Sequence, residues 1–153
     1  MVEGGIMALL IPSLPAYWDT HKEYAVGSVT DLLRSSVLDM VEKGKLNKEK
    51  SETFNIPYYF PAPDELRAIL QKSNCFSVER TEILKNGALL DVDGHAAMFR
   101  AVHQNLLAYE FGAGIVDEAF DLLRKKLRAS PVYTHPSNDK TLVVVAILKR
   151  NYV

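Results

Sequence analysis

The sequence predicts a mixed α/β fold whose sheet is part of a larger one. Three observations carry that reading. Unbroken apolar runs at residues 6–11 and 142–148, the second inside an element 141–149, near the two ends of the chain, read as strands buried on both faces. A third run, 76–84, mixes β-formers with charges and reads as a strand with one wet face or at a sheet edge. Four amphipathic helical stretches lie between them, which gives the order strand, helix, helix, strand, helix, helix, strand. With only three strands, at least one of the buried type keeps a bare edge.

Gly4-Gly5 precede the first run, and Pro12 and Pro15 end it. Residues 13–27, with Tyr17, Trp18 and Tyr24, read as a loop that packs aromatics or lines a cavity. From Ser28, the expected N-cap, Val29, Leu32, Leu33, Val37, Met40 and Val41 recur at helical spacing as far as Gly44. Asn47 caps a short polar turn through Ser51, and Pro57 and Pro61 prevent residues 54–61 from being helical throughout. Pro63 suits a first helical turn, Asp64 and Glu65 complement its dipole, and Leu66, Ile69 and Leu70 form the expected inner stripe. Asn86-Gly87 closes the third strand as a turn. Helix 95–111 is expected to bury Met98, Val102, Leu106, Tyr109 and Phe111, and helix 115–129 to bury Val116, Ala119, Phe120, Leu123 and Leu127. Gly112 and Gly114 break the pair.

Apolar residues make up 48% of the 153, enough for a packed core and too many for intrinsic disorder. The length fits one domain, or the larger part of one. Eighteen basic residues against nineteen acidic ones remove the field on which phosphate-backbone binding relies, so nucleic acid is not an expected partner. The apolar runs fall far short of the roughly 20 residues that cross a bilayer. Glu3 stands where a signal peptide would carry positive charge, and the lone Cys75 suits a reducing compartment, so a cytoplasmic location is expected.

Few constellations suggest chemistry. Gly112-Ala113-Gly114 follows a helix rather than a strand and lacks the third glycine of a nucleotide loop. His95 and His103 stand eight apart, wider than the three to five that metal pairs use, and read as solvated or capping residues. Cys75 has no identifiable base, and His135 reads as a surface residue. Arg124, Lys125, Lys126 and Arg128 read as cations at a helix C-terminus, with anion binding as the alternative. Residues 51–61 combine Glu52 and Asn55 with closely spaced aromatics. They read as a packed loop, or as oxygen donors for a hard cation beside an aromatic-walled pocket.

Phe54-Asn55-Ile56-Pro57-Tyr58-Tyr59, followed by Pro61-Ala62-Pro63-Asp64-Glu65, resembles the corresponding segment of the plant SABATH methyltransferases. These are the salicylate, benzoate, jasmonate, gibberellate and theobromine methyltransferases. Val2-Glu3-Gly4-Gly5-Ile6-Met7, Met40-Val41-Glu42-Lys43-Gly44, Arg100-Ala101-Val102 and Phe111-Gly112 match in the family's order, so the similarity spans nearly the whole chain. The resemblance implies the C-terminal part of a doubly wound, Rossmann-like S-adenosylmethionine (SAM)-dependent fold with helical cap elements. Residues 1–153 would form one partial domain, with strand 141–149 inserted between strands 6–11 and 76–84.

It also implies methyl transfer to a small-molecule carboxylate, with a homodimer admitted and a noncatalytic interaction module as the alternative. No catalytic or SAM-binding residue is assigned to this chain. Glu52, Phe54 and Asn55 lie on the family's magnesium-associated segment, where the acid is usually aspartate. Tyr59, Phe99 and Val102 lie on acceptor-pocket positions. Thr30 stands where some members carry tryptophan, and Gln104 where many carry glutamate.

Overall fold

The computed structural model describes residues 1–85 and 91–151. β1 (Ile6–Ser13) leads through an irregular stretch to α1 (Val26–Glu42), α2 (Lys48–Thr53) and α3 (Pro63–Gln71). β2 (Phe76–Lys85), α4 (Val92–Phe111), α5 (Val116–Ala129) and β3 (Leu142–Arg150) complete the order, with short 3-10 turns on either side of α5.

The sheet order is β1-β3-β2, and β3 runs antiparallel to both neighbours. The last strand thus sits between the first two, as the resemblance implied. Val144, Ala146 and Leu148 are buried on β3 and pair with Ile11, Leu9 and Met7. β2 lies at an edge, with a register shift between Val78 and Arg80 and an Arg80–Glu82 ion pair, devices that discourage further strand pairing. β1 corrects the sequence reading. It is not buried on both faces, since exposed and half-buried residues alternate along it and Ile6 and Leu10 are exposed. Among the described residues it pairs only with β3.

The helices make the main core. α5 packs between α1 and α4 and contributes Val116, Ala119, Phe120, Leu123 and Leu127, the stripe its periodicity predicts. Val29, Leu33, Val37 and Met40 come from α1, and Ala96, Phe99 and Leu107 from α4. α1 stops where Gly44 takes φ +70°, with Gly44 N–H donating to the Val41 carbonyl and Lys45 N–H to that of Met40.

Several helix details differ from expectation. α1 begins at Val26, and Ser28 works backwards, its Oγ accepting from the Ala25 N–H at 3.3 Å. α4 begins at Val92 because the Asp91 side chain accepts from Gly94 N–H at 2.7 Å. Its buried face carries His95, Ala96, Phe99, His103 and Leu107, whereas Met98, Val102 and Tyr109 are exposed. Counting histidine as polar rotated the predicted stripe away from the core. On α3 Leu66 is buried as expected but Ile69 is exposed. The Asn86-Gly87 turn lies outside the described residues.

Candidate functional site

The two buried histidines of α4 explain how aromatic residues are fixed beside it. His95 Nδ1 lies 2.9 Å from the Asp91 carbonyl and its Nε2 3.3 Å from the Tyr24 hydroxyl. His103 repeats the pattern, with Nδ1 2.8 Å from the Phe99 carbonyl and Nε2 2.8 Å from the Tyr58 hydroxyl. A carbonyl oxygen can only accept, so each Nδ1 carries a proton, and in the neutral ring Nε2 accepts from tyrosine. Both rings are therefore satisfied without solvent, which is why they sit in the core rather than in water as the sequence suggested. Burial pushes the Tyr24 hydroxyl well above its ordinary value, and that of Tyr133 up to about 12. Tyr58 is raised by burial as well.

Three elements meet around an apolar cavity of about 250 Å³. α1 presents Val26 and Thr30, one turn apart on one face, and α4 presents Met98, Phe99 and Val102. The segment braced by Pro57 and Pro61 supplies Tyr58 and Phe60, whose rings lie 5.2 Å apart, and Pro12 closes the end of β1. Phe99 is stacked on His103 at 5.1 Å, and Tyr58 meets the same imidazole edge-on. The wall is thus held from behind by a hydrogen-bonded aromatic set.

A second cavity of about 240 Å³ shares Thr30, Tyr58 and Phe60 with the first, and adds Gly27, Asp31, Arg34, Phe54, Asn55 and Ile56. A third, of about 220 Å³, shares Pro12, Val26, Met98 and Phe99 and reaches Tyr24 and His95. Thr30 Oγ1 is buried and has no hydrogen-bond partner.

Of the residues singled out from sequence, Thr30, Phe99 and Val102 come together on the apolar cavity. Tyr59 does not. It is exposed, and its hydroxyl donates to Glu65, which raises its pKa. Phe60 and the partly exposed Tyr58 (43%), on either side of it, line the cavity instead, as residues two apart on non-helical backbone do. Sequence reasoning did not single out Tyr58, Phe60 or His103 for the pocket; for His103 a signal was there in its place one turn after Phe99 on the same helical face, whereas the inward turn of Tyr58 and Phe60 has none in the spacing.

The implied cation ligands separate. Asn55 and Phe54 line the polar cavity, whereas Glu52 belongs to α2, lies 3.6 Å from Lys48 and lines a different cavity with Leu38 and Val41. As placed, the three do not fit the ligand set of one ion. Among the described residues no group of three or more His, Cys, Asp or Glu could hold a metal. The basic cluster of α5 is largely committed, with Arg124 and Arg128 on Asp93 and Lys126 on Asp39. Cys75 and His135 are exposed. Among the described residues no helix is long and apolar enough to cross a membrane.

Comparison with known proteins places these features in a family. Residues 1–151 match the family described as SAM dependent carboxyl methyltransferase. Loganic acid O-methyltransferase of Catharanthus roseus is 30% identical over 131 residues, which cover 84% of this chain and 35% of that protein. A probable SAM-dependent methyltransferase of Arabidopsis thaliana is 31% identical, over 98% of this chain and 42% of its own length. A solved loganic acid methyltransferase with SAH superposes with a TM-score of 0.85 at 29% identity, covering 99% of this chain and 44% of that one. The chain thus spans about two fifths of the relatives it matches, with the fold of part of a SAM-dependent methyltransferase. With residues 1–151 matched to its family, the chain belongs to the SABATH group of SAM-dependent carboxyl methyltransferases.

Proposed function

We propose that this chain supplies the acceptor pocket of an enzyme that methylates the carboxylate of a small plant metabolite. The apolar cavity between α1, α4 and the 57–61 segment carries the reading. It has the concave, mainly apolar character of small-ligand sites, and it gathers Thr30, Phe99 and Val102. Tyr58 and Phe60 provide its aromatic wall in place of Tyr59.

SAM, when bound to the complete enzyme, supplies an electrophilic methyl group. A carboxylate is already anionic at neutral pH, so it needs no base to become a nucleophile. The protein's task is to hold the acceptor in line and to exclude water. The cavity residues suit that task, since none of Val26, Phe60, Met98, Phe99 and Val102 competes for the acceptor's polar groups. The buried His103 acts here as a positioning residue that holds Tyr58 and carries the stacked Phe99. No metal step enters this reading, because Glu52 and Asn55 face different cavities. The lone exposed Cys75 supports a cytoplasmic setting.

Transfer of labelled methyl groups to a panel of small plant carboxylic acids tests the proposal in the complete enzyme. At least one acid should accept label, and Val102→Trp, which fills the cavity, should lower kcat/KM for that acid by about tenfold or more. An empty panel, or a Val102→Trp enzyme as active as its parent, would remove the pocket from the reaction.

A further inference from the structure

We infer that residues 14–24 form a strap on α4 that acid releases, with His95 as its proton-sensitive fastening. The device goes beyond the acceptor reading and does not depend on it. Among the described residues, the polar ties of the strap to other elements lie at its two ends. Leu14 N–H donates to the Pro61 carbonyl at 3.3 Å. At the other end Glu23 pairs with Lys140 at 3.1 Å, and Tyr24 N–H donates to the Asn138 carbonyl at 3.0 Å while its own carbonyl accepts from Lys140 N–H at 2.7 Å. The Tyr24 ring lies 4.6 Å from that of Tyr133, and its hydroxyl 3.3 Å from His95 Nε2.

The two histidine clasps of α4 take a proton differently. Each Nδ1 already donates to a carbonyl, so a second proton must sit on Nε2 and turn the tyrosine from donor to acceptor. Tyr58 is 43% exposed and can then give its own proton to water. Tyr24 is 3% exposed, so its proton is left to turn into the protein beside a buried positive charge. Burial holds the Tyr24 hydroxyl well above the ordinary tyrosine value, so no tyrosinate is at hand to neutralise the ring. A protonated His95 therefore suits the released strap and not the fastened one.

The groups around His95 leave it as the trigger. Tyr133 faces it with ring centres 6.5 Å apart, and the Asp91 side chain is turned to Gly94 N–H. Asp139 lines the same cavity, where its Oδ1 accepts from Thr141 N–H at 2.8 Å, and its charge favours an imidazolium once Tyr24 no longer opposes one. α1, β1 and β3 bring Val26, Val29, Pro12 and Val143 to that cavity. On the strap, the backbone N–H groups of His21 and Asp19 hold the carboxyls of Asp19 and Glu23 below the usual range, and Lys22 and Lys140 pair with them, so both stay ionised near neutrality. Release takes Tyr24 from the wall of a cavity that shares Pro12, Val26, Met98 and Phe99 with the apolar one, which opens the pocket on a side other than that of Tyr58.

Amide exchange followed by NMR between pH 7.5 and 5.5, corrected for intrinsic rates, tests the device in this chain. The Tyr24 and Lys140 amides should exchange faster than those in the middle of α5, as a local opening requires. The proton binds the released state, so release is favoured as pH falls. With the released ring taking it near the ordinary histidine value of about 6.5, opening should become about tenfold more frequent over the interval. His95→Gln, which cannot take the proton, should flatten the response, and His21→Gln, exposed on the strap itself, should keep it. Should His95→Gln fail to fold, the imidazole signals of the parent decide, since those of the exposed His21 and His135 should move with pH while that of His95 does not. Strap amides that follow α5 at every pH, or a parent without acid response, would overturn the strap. So would a response that survives in His95→Gln or is lost in His21→Gln, or a His95 signal that moves with the exposed pair.

Discussion

The helical layer and the sheet of this chain are finished to different degrees. In α1, α4 and α5 the apolar stripes face one another, and Leu33, Leu107, Leu123 and Leu127 are each 0% exposed. Among the described residues that core cluster takes no member from any strand. The sheet has a buried row in Val144, Ala146 and Leu148, yet β1 leaves Ile6 at 60% and Leu10 at 68% exposure beside an edge that pairs with nothing described. The contrast marks β1 as the open side of the described chain. A relative more than twice as long superposes on the whole of this chain, and β1 offers unpaired backbone and apolar surface to additional structure.

The comparison breaks most readily in the helices. Leu123→Ala should cost about 2–5 kcal/mol, because it opens a cavity between α1 and α4 that the neighbours close only in part. Leu10→Ala, on the open face of β1, should change stability by no more than about 0.5 kcal/mol. Chemical denaturation of both variants gives the ratio. Equal losses would mean that the sheet is as well packed as the helices.

Alkali sharpens the same contrast, because Tyr133 packs in the helical layer. Tyr133 is 7% exposed, and burial pushes its hydroxyl up to about 12, against an ordinary value near 10. The folded state thus holds its proton after the unfolded state has released it. The stabilisation is fully present below pH 10 and is lost as pH rises through about 12, on the order of 2–3 kcal/mol for that shift. Melting temperatures measured from pH 9 to 12 should fall more steeply for the parent than for Tyr133→Phe. Parallel curves would mean that Tyr133 ionises alike in both states.

How far the sequence reveals this arrangement follows from what periodicity can see. The stripe of α5 is legible because Val116, Ala119, Phe120, Leu123 and Leu127 are all apolar and all buried. The face of α4 is not, because two of its buried positions are histidines whose nitrogens are satisfied by a carbonyl and a tyrosine hydroxyl. A hydropathy pattern counts such residues as wet, and it assigns Met98 and Val102 to the core when they stand over a cavity. β1 misleads in the opposite sense. Its unbroken apolar run reads as doubly buried, as it would be inside a longer parallel sheet, but the described chain supplies a neighbour on one side only. The cavity is half legible. Thr30, Phe99 and Val102 are positions the family resemblance marks, whereas Tyr58 and Phe60 depend on how a proline-braced segment turns, which no spacing encodes.

The cavity lies at the end of β1 against α1 and α4, and its polar fastening is the seam between α4 and the 57–61 segment. Tyr58→Phe removes the hydroxyl that lies 2.8 Å from His103 Nε2 and leaves that nitrogen buried without a donor. The loss should be about 1–3 kcal/mol, the cost of an unsatisfied buried group rather than of a surface contact. Adding His103→Leu to the same chain should return part of it, because an apolar pair leaves nothing unsatisfied. A double-mutant cycle on Tyr58→Phe and His103→Leu, read by denaturation, separates the two cases. A non-additive double variant, more stable than the sum of its parts, assigns the seam's stability to the hydrogen bond. Additive losses would place that stability in ring packing alone, and α4 would then hold the 57–61 segment through shape without a polar lock.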